Sequence, residues 1–200
     1  MRKRLLKRYL SRIREIEIFF PQEIDGFPTK DIRRLADNCE YDEALEHAEP
    51  LLNRRWIDIE VEHWYKNFDS SILLTVEAMA YYLPSILRFT YMEEVRKIYG
   101  QNDTTYDTGL TEDHYTYLFC ASKVATDEVD PWREKRTRNL YEKFNLNQLK
   151  VVKNWLLFQL ARDTVSRFER SMAMLLVDQA IQEREAESRA EFRGNFQKMV

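Results

Sequence analysis

Residues Ile72 to Phe89 (ILLTVEAMAYYLPSILRF) are the most apolar window of the chain, and they limit its fold more than any other stretch. The uninterrupted part, Ala78 to Leu87, is too short to cross a bilayer, which takes about 20 residues. The window therefore predicts a buried core helix. Thr75 is its N-cap, and Glu77 suits the positive end of the helix dipole. Pro84 falls inside the pattern Met79, Leu83, Leu87, Tyr91, which predicts a kink or two helices meeting there.

The rest of the chain has to cover that helix, and its composition favours more helices. Only 4 of 200 residues are glycine. Tight hairpins, glycine-rich phosphate loops and dinucleotide folds all need more. Apolar spacing predicts a helix over residues 1–20, with Leu5, Leu6, Tyr9, Leu10, Ile13 and Ile16 on one face. Short helices are expected from Lys30 to Asp37, capped by Thr29, and from Asp42 towards Asn53, cut short by Pro50. Another is expected from Trp56 to Phe68. Gly100 to Gly109 reads as a loop, and Thr111 as the cap of a helix to Val124. Asp130-Pro131 is a cap and first-turn pair for a helix to Phe144. Asn145 or Asn147 opens the next, with Leu149, Val152, Trp155, Leu156 and Leu160 inward. A last helix from Asp163 carries Val165, Phe168, Met172, Leu175 and Leu176, and fades into charged residues 183–200.

Familiar catalytic signatures are missing. No Walker loop, GxGxxG, GxSxG, HExxH or CxxC is present. Glu60-x-x-His63 has the spacing of one half of a di-iron site, but the second copy that such a site needs is absent. Cys120 and His114 lie about 240° apart around a helix, too far round to pair as nucleophile and base. Cys39 and Cys120 read as reduced core thiols of a cytoplasmic protein, and no signal-peptide pattern follows the basic first residues. No cofactor is implied.

Charge is distributed unevenly. The first 14 residues hold seven bases and no acid, so the net charge of −3 leaves −10 for the remainder. Residues 37–63 hold nine acids against Arg54 and Arg55. Glu40, Glu43, Glu46 and Glu49, with Asp58 and Glu62, read either as a solvated face or as a docking face for a basic protein partner. Arg2, Lys3, Arg4, Lys7, Arg8 and Arg12 read either as the outer face of a core helix or as contacts to an anionic membrane or nucleic acid. A weaker basic stretch runs from Trp132 to Arg138.

The run RRW at 54–56, ILLTVEAMAYYLPSILRF at 72–89 and FNLNQLKVVKNWLLFQL at 144–160 together resemble an uncharacterised bacterial family, a domain of unknown function. Its signature has a Trp, then fLtpeA-ryYLPafL, then a helix with an early Gln. The resemblance spans residues 13–160, and Val76 departs from it where the signature favours Pro. It implies a helical bacterial domain and brings no reaction with it. Trp56, Tyr81, Tyr82, Leu83, Pro84 and Gln148 carry the motif, the aromatics as core.

The expectation is an all-α, irregular single-domain bundle of seven to nine helices, with a domain at 1–162 and a C-terminal helical extension at 163–200. The extension is a candidate for homo-oligomerisation through residues 163–182. The leading functional expectation is a protein-interaction module using the acidic face. The first alternative is membrane or nucleic-acid association through residues 1–14. The second is an enzyme with a carboxylate and histidine site near His63.

Overall fold

The computed structural model describes residues 2–37, 42–60, 63–64, 73–100, 130–160 and 167–197. The fold is all-α, with six α-helices among these residues. They are α1 (Arg2–Phe19), α2 (Asp42–Ala48), α3 (Val76–Ile98), α4 (Pro131–Glu142), α5 (Leu146–Leu160) and α6 (Arg167–Gln197). Single 3₁₀ turns occupy Ile32–Arg34, Glu49–Leu51 and Trp56–Asp58. The loop and helix expected between Gly100 and Val124 lie outside the described residues apart from Gly100, as do Cys39 and Cys120.

Helix α3 is the axis of the molecule. Every residue from Tyr81 to Leu87 is buried, as are Ala78, Met79, Thr90 and Tyr91. Thr75 caps it as expected, its hydroxyl accepting from the Ala78 amide at 3.0 Å. Pro84 lies within one continuous helix rather than at a junction. Helix α1 packs along α3 and against α5, α4 packs on α3, and α6 lies on α5 and α4. Tyr9, Tyr91 and Phe158 form an aromatic cluster where α1, α3 and α5 meet, with centroids 4.8–6.2 Å apart.

Several side chains buried around α3 have their polar tips matched to partners. Trp64 Nε1 donates to Ser85 Oγ at 3.0 Å, and Trp155 Nε1 to Thr90 Oγ1 at 2.7 Å. Both hydroxyls pass a hydrogen bond on to carbonyls of α3. The Tyr82 hydroxyl donates towards the carbonyls of Leu51 and Arg54. Burial pushes the pKa of this phenol, and that of Tyr91, well above the ordinary tyrosine range.

Three expected elements take a different form. Residues 30–37 make only the turn Ile32–Arg34, and its cap is Asp31, which accepts from the Arg33 amide at 3.0 Å. Thr29 accepts from Asp31 N instead. The helix expected from Trp56 stops after one 3₁₀ turn, with Ile59 extended at ψ 126°. Ile57-Asp58-Ile59-Glu60 alternates apolar and polar, a period of two that a helix cannot bury on one side. In α6 the buried face is Ala173, Leu176 and Val177, whereas Leu175 is 48% exposed. These three belong to the same core as α3, so this apolar face is covered within the chain. The side chain of Phe168 and all of Val165 lie outside the described positions.

Asn145 and Gln148 form a reciprocal capping box at the start of α5. Gln148 N donates to Asn145 Oδ1 at 3.0 Å, and Asn145 N to Gln148 Oε1 at 2.9 Å. Gln148 Nε2 then donates to the carbonyl of Phe19, at the end of α1. Replacing Gln148 by Ala removes half of the box and leaves that carbonyl without its donor. The expected cost is about 2 kcal/mol, roughly one for the cap and one for the carbonyl, read from the shift of a urea unfolding midpoint.

Candidate functional site

Three places in the fold hold the residues that the sequence singled out. The first is the outer face of α1. Its inward side, with Ile16 buried and Tyr9 and Ile13 half-buried, is taken up by α3 and α5. Arg2, Lys3, Arg4, Lys7, Arg8 and Arg14 are all exposed, and none forms an ion pair among the described residues. Arg12 is the exception, held by Glu15 at 2.6 Å. The other acid of the helix, Glu17, is taken by Arg88 at 3.0 Å. At 100° per residue, Lys3, Arg4, Lys7, Arg8 and Arg14 share one arc, and Ile18, 65% exposed, falls in the middle of it. Tyr9, Ile13 and Ile16 of the apolar stripe are therefore not free to bury themselves in lipid, whereas Leu10 is 49% exposed and the cationic arc faces solvent.

The second place is α2. Ala44 and Ala48 are buried, and Asp42, Glu43 and Glu46 face outward, continued by Glu49 in the following turn. These four carboxylates form no ion pair among the described residues. Asp58 behaves differently: Arg55 holds both of its oxygens, at 2.7 and 3.1 Å. Glu40 and Glu62 lie outside the described residues. No ion pair joins the α1 bases to the α2 acids among those described. Three bases of the stretch after Trp132 are paired within the fold, and Lys135 is exposed. Arg133 lies 3.6 Å from Asp130, Arg136 is 3.2 Å from Asp37, and Arg138 is 2.7 Å from Glu134.

His63 is half-buried. It packs edge-on against Trp64 at 5.0 Å. Burial lowers its pKa to about 4, and the charges of Arg54 and His47 push the same way. Asp58 is engaged by Arg55, and Glu60 is exposed, its carbonyl accepting from the His63 amide at 3.1 Å. Among the described residues no group of three acidic, histidine or cysteine side chains is placed to hold a metal.

The third place was not legible as a site, although four of the motif residues meet there. Trp56 Nε1 donates to the carbonyl of Pro21 at 3.0 Å, and the Tyr81 hydroxyl donates to that of Gln22. With Gln148 on Phe19, three side chains from three elements fix the four-residue strap 19–22. Between the strap, α3 and the α4–α5 corner lies a cleft of about 340 Å³. Pro84 forms part of its wall, and Tyr82 and Leu83 lie in the core behind it. Burial pushes the Tyr81 phenol up to about 12. At the rim, Lys143 and Glu77 pair at 2.6 Å, and that bond holds the Glu77 carboxyl below its ordinary range.

Comparison of the chain with family models, with curated proteins and with solved structures finds no match.

His63 makes stability depend on pH. Its pKa in the fold lies below its value of 6.5 in the unfolded chain, so the unfolded state binds more protons between those values. Its contribution is complete above pH 6.5 and is lost as pH falls towards 4. At about 1.4 kcal/mol per unit, the loss is up to about 3 kcal/mol. Urea unfolding of wild type and His63→Gln should show the wild type losing more stability between pH 7 and pH 4.5. Parallel losses would show that this imidazole is not the cause.

Proposed function

We propose that this protein is a binding module whose principal contact is the basic arc of α1 with an anionic membrane surface. The observation that supports this reading is the uncompensated charge on α1. Six exposed Lys and Arg side chains lack ion-pair partners among the described residues of a chain whose net charge is −3. Elsewhere most described bases are tied to carboxylates, as Arg55, Arg88, Arg136, Arg138 and Lys143 are. Clusters of four to eight bases on an amphipathic helix suit anionic headgroups. A flat surface is favoured over nucleic acid because the arc offers Ile18 and no aromatic side chain on which a base would stack. With Tyr9, Ile13 and Ile16 docked on the core, the contact is electrostatic adsorption rather than insertion of the helix. Among the described residues no helix is long and apolar enough to cross a membrane. The resemblance of the YYLP run to a bacterial domain family is part of this proposal at the level of architecture only.

The test is co-sedimentation with vesicles containing phosphatidylserine, set against neutral vesicles and duplex DNA. Binding should require the anionic lipid and fall as salt rises. The variant with Lys3, Arg4, Lys7 and Arg8 changed to Gln should bind roughly a thousandfold more weakly, at about 1 kcal/mol per base. Its melting temperature should be unchanged, since these side chains point away from the core. DNA binding without vesicle binding would transfer the role to nucleic acid, and vesicle binding indifferent to the four changes would remove the α1 reading.

A second reading rests on α2. Its exposed, unpaired Asp42, Glu43, Glu46 and Glu49 offer a docking face for a basic protein partner. Affinity purification should then recover a stoichiometric partner that Glu43→Lys with Glu46→Lys releases. A partner retained by that variant would clear α2 of the role.

A further inference from the structure

The strap cleft goes beyond the α1 reading and does not depend on it, because it lies past the C-terminal end of α1. Its walls are apolar and mostly buried: Phe20, Phe27, Tyr81, Pro84 and Phe144. The rings are held in fixed relations. Phe20 meets Phe144 edge-on at 5.7 Å, and Phe27 stacks on Tyr81 at 5.1 Å. The volume of about 340 Å³ falls in the range of small-ligand pockets. The three hydrogen bonds to residues 19–22 mean that the wall is formed before anything binds.

The polar groups at the rim set the charge of a ligand. Glu77 and Lys143 neutralise each other. Arg34 forms no ion pair among the described residues, yet its position is defined. Its guanidinium lies 5.2 Å from the centre of the Phe27 ring. It also covers Gly26, where a Cβ would come within 2.0 Å of the guanidinium nitrogens. A guanidinium so placed, with no carboxylate of the chain on it among the described residues, keeps its N–H donors for a carboxylate ligand. Asp25 is on the same cleft, exposed and likewise outside any ion pair among the described residues, so a second negative charge is disfavoured. Pro84 has no amide hydrogen, which leaves the Ala80 carbonyl in the cleft wall without its helical i+4 donor.

We infer that the cleft is a binding site for a small aromatic monocarboxylate, its ring among Phe20, Tyr81 and Phe144 and its carboxylate on Arg34.

The experiment is calorimetric titration of the full chain with 3-phenylpropionate, its uncharged amide 3-phenylpropionamide, and phenylsuccinate, which carries two carboxylates. Saturable one-to-one binding of 3-phenylpropionate is expected below about 5 mM, with both analogues at least about tenfold weaker. Arg34→Gln should erase the preference for the acid over the amide, while Lys30→Gln, an exposed base outside the cleft, should keep it. Ala80→Phe should fill the cleft and abolish binding of all three. No saturable binding, equal binding of acid and amide by the wild type, or a preference that survives Arg34→Gln would each overturn the site. The wild-type comparison and the exposed Arg34 variant decide the question even where Ala80→Phe does not fold.

Discussion

A helix with seven successive buried residues has no side left for solvent, and that condition organises this molecule. From Tyr81 to Leu87, α3 has to be covered all round, and each polar atom taken inside has to find a partner. Ser85 and Thr90 solve this in the same way. Each hydroxyl donates to an α3 carbonyl and accepts an indole N–H, from Trp64 and Trp155 respectively. The phenol of Tyr82 reaches out to the backbone at Leu51 and Arg54 and so ties down the segment after α2. The placement of α1, α5 and the Trp56 turn follows from what α3 requires of its neighbours. An unpaired buried donor or acceptor costs about 1–3 kcal/mol, a large share of a domain's stability.

The surface follows a different rule. Many described charges are matched close by, by i+3 or i+4 pairs such as Arg12–Glu15 and Arg138–Glu134, or across elements as in Arg88–Glu17 and Lys153–Asp178. Pairs like these contribute little to stability individually. They do leave the field around the molecule to the groups that stay unmatched, chiefly the outward faces of α1 and α2. Such a molecule carries opposite potentials on separate helices, and approach to a charged surface orients it before contact.

Much of the helical framework could be read from local chemistry. The caps at Thr75, Asp130 and Asn145 act within a few residues of themselves, and each stands where the sequence puts it. Residues 30–37 fail locally, with Asp31 capping in place of Thr29; the other failures have a deciding partner far along the chain. Trp56 begins a helix by local pattern, but its indole is spent on Pro21 and the residues after it alternate with period two. Leu175 fits an apolar stripe, yet the packing against α4 and α5 selects Ala173, Leu176 and Val177. Lys3, Arg4, Lys7 and Arg8 were visible as candidates because a helix exposes a whole face at once, whereas Arg12 is spent on Glu15. The cleft was hidden because its walls come from residues near 20, 80 and 144, and because nothing local distinguishes Arg34 from other surface bases. Gln148 stood out only through the resemblance, and its two hydrogen-bonding roles explain why an amide suits that position.

The bond from Gln148 to the Phe19 carbonyl spans 129 residues. During synthesis, α1 emerges first, but its last turn has no donor for that carbonyl until the start of α5 has left the ribosome. The same amide group that closes α1 also starts α5 through the capping box, so the two events share one side chain. The opening helix is thus finished by one made much later, and the strap behind it takes its final shape only then. Any cleft bounded by that strap is complete only once the start of α5 has been made, and the segment made before it does not possess it.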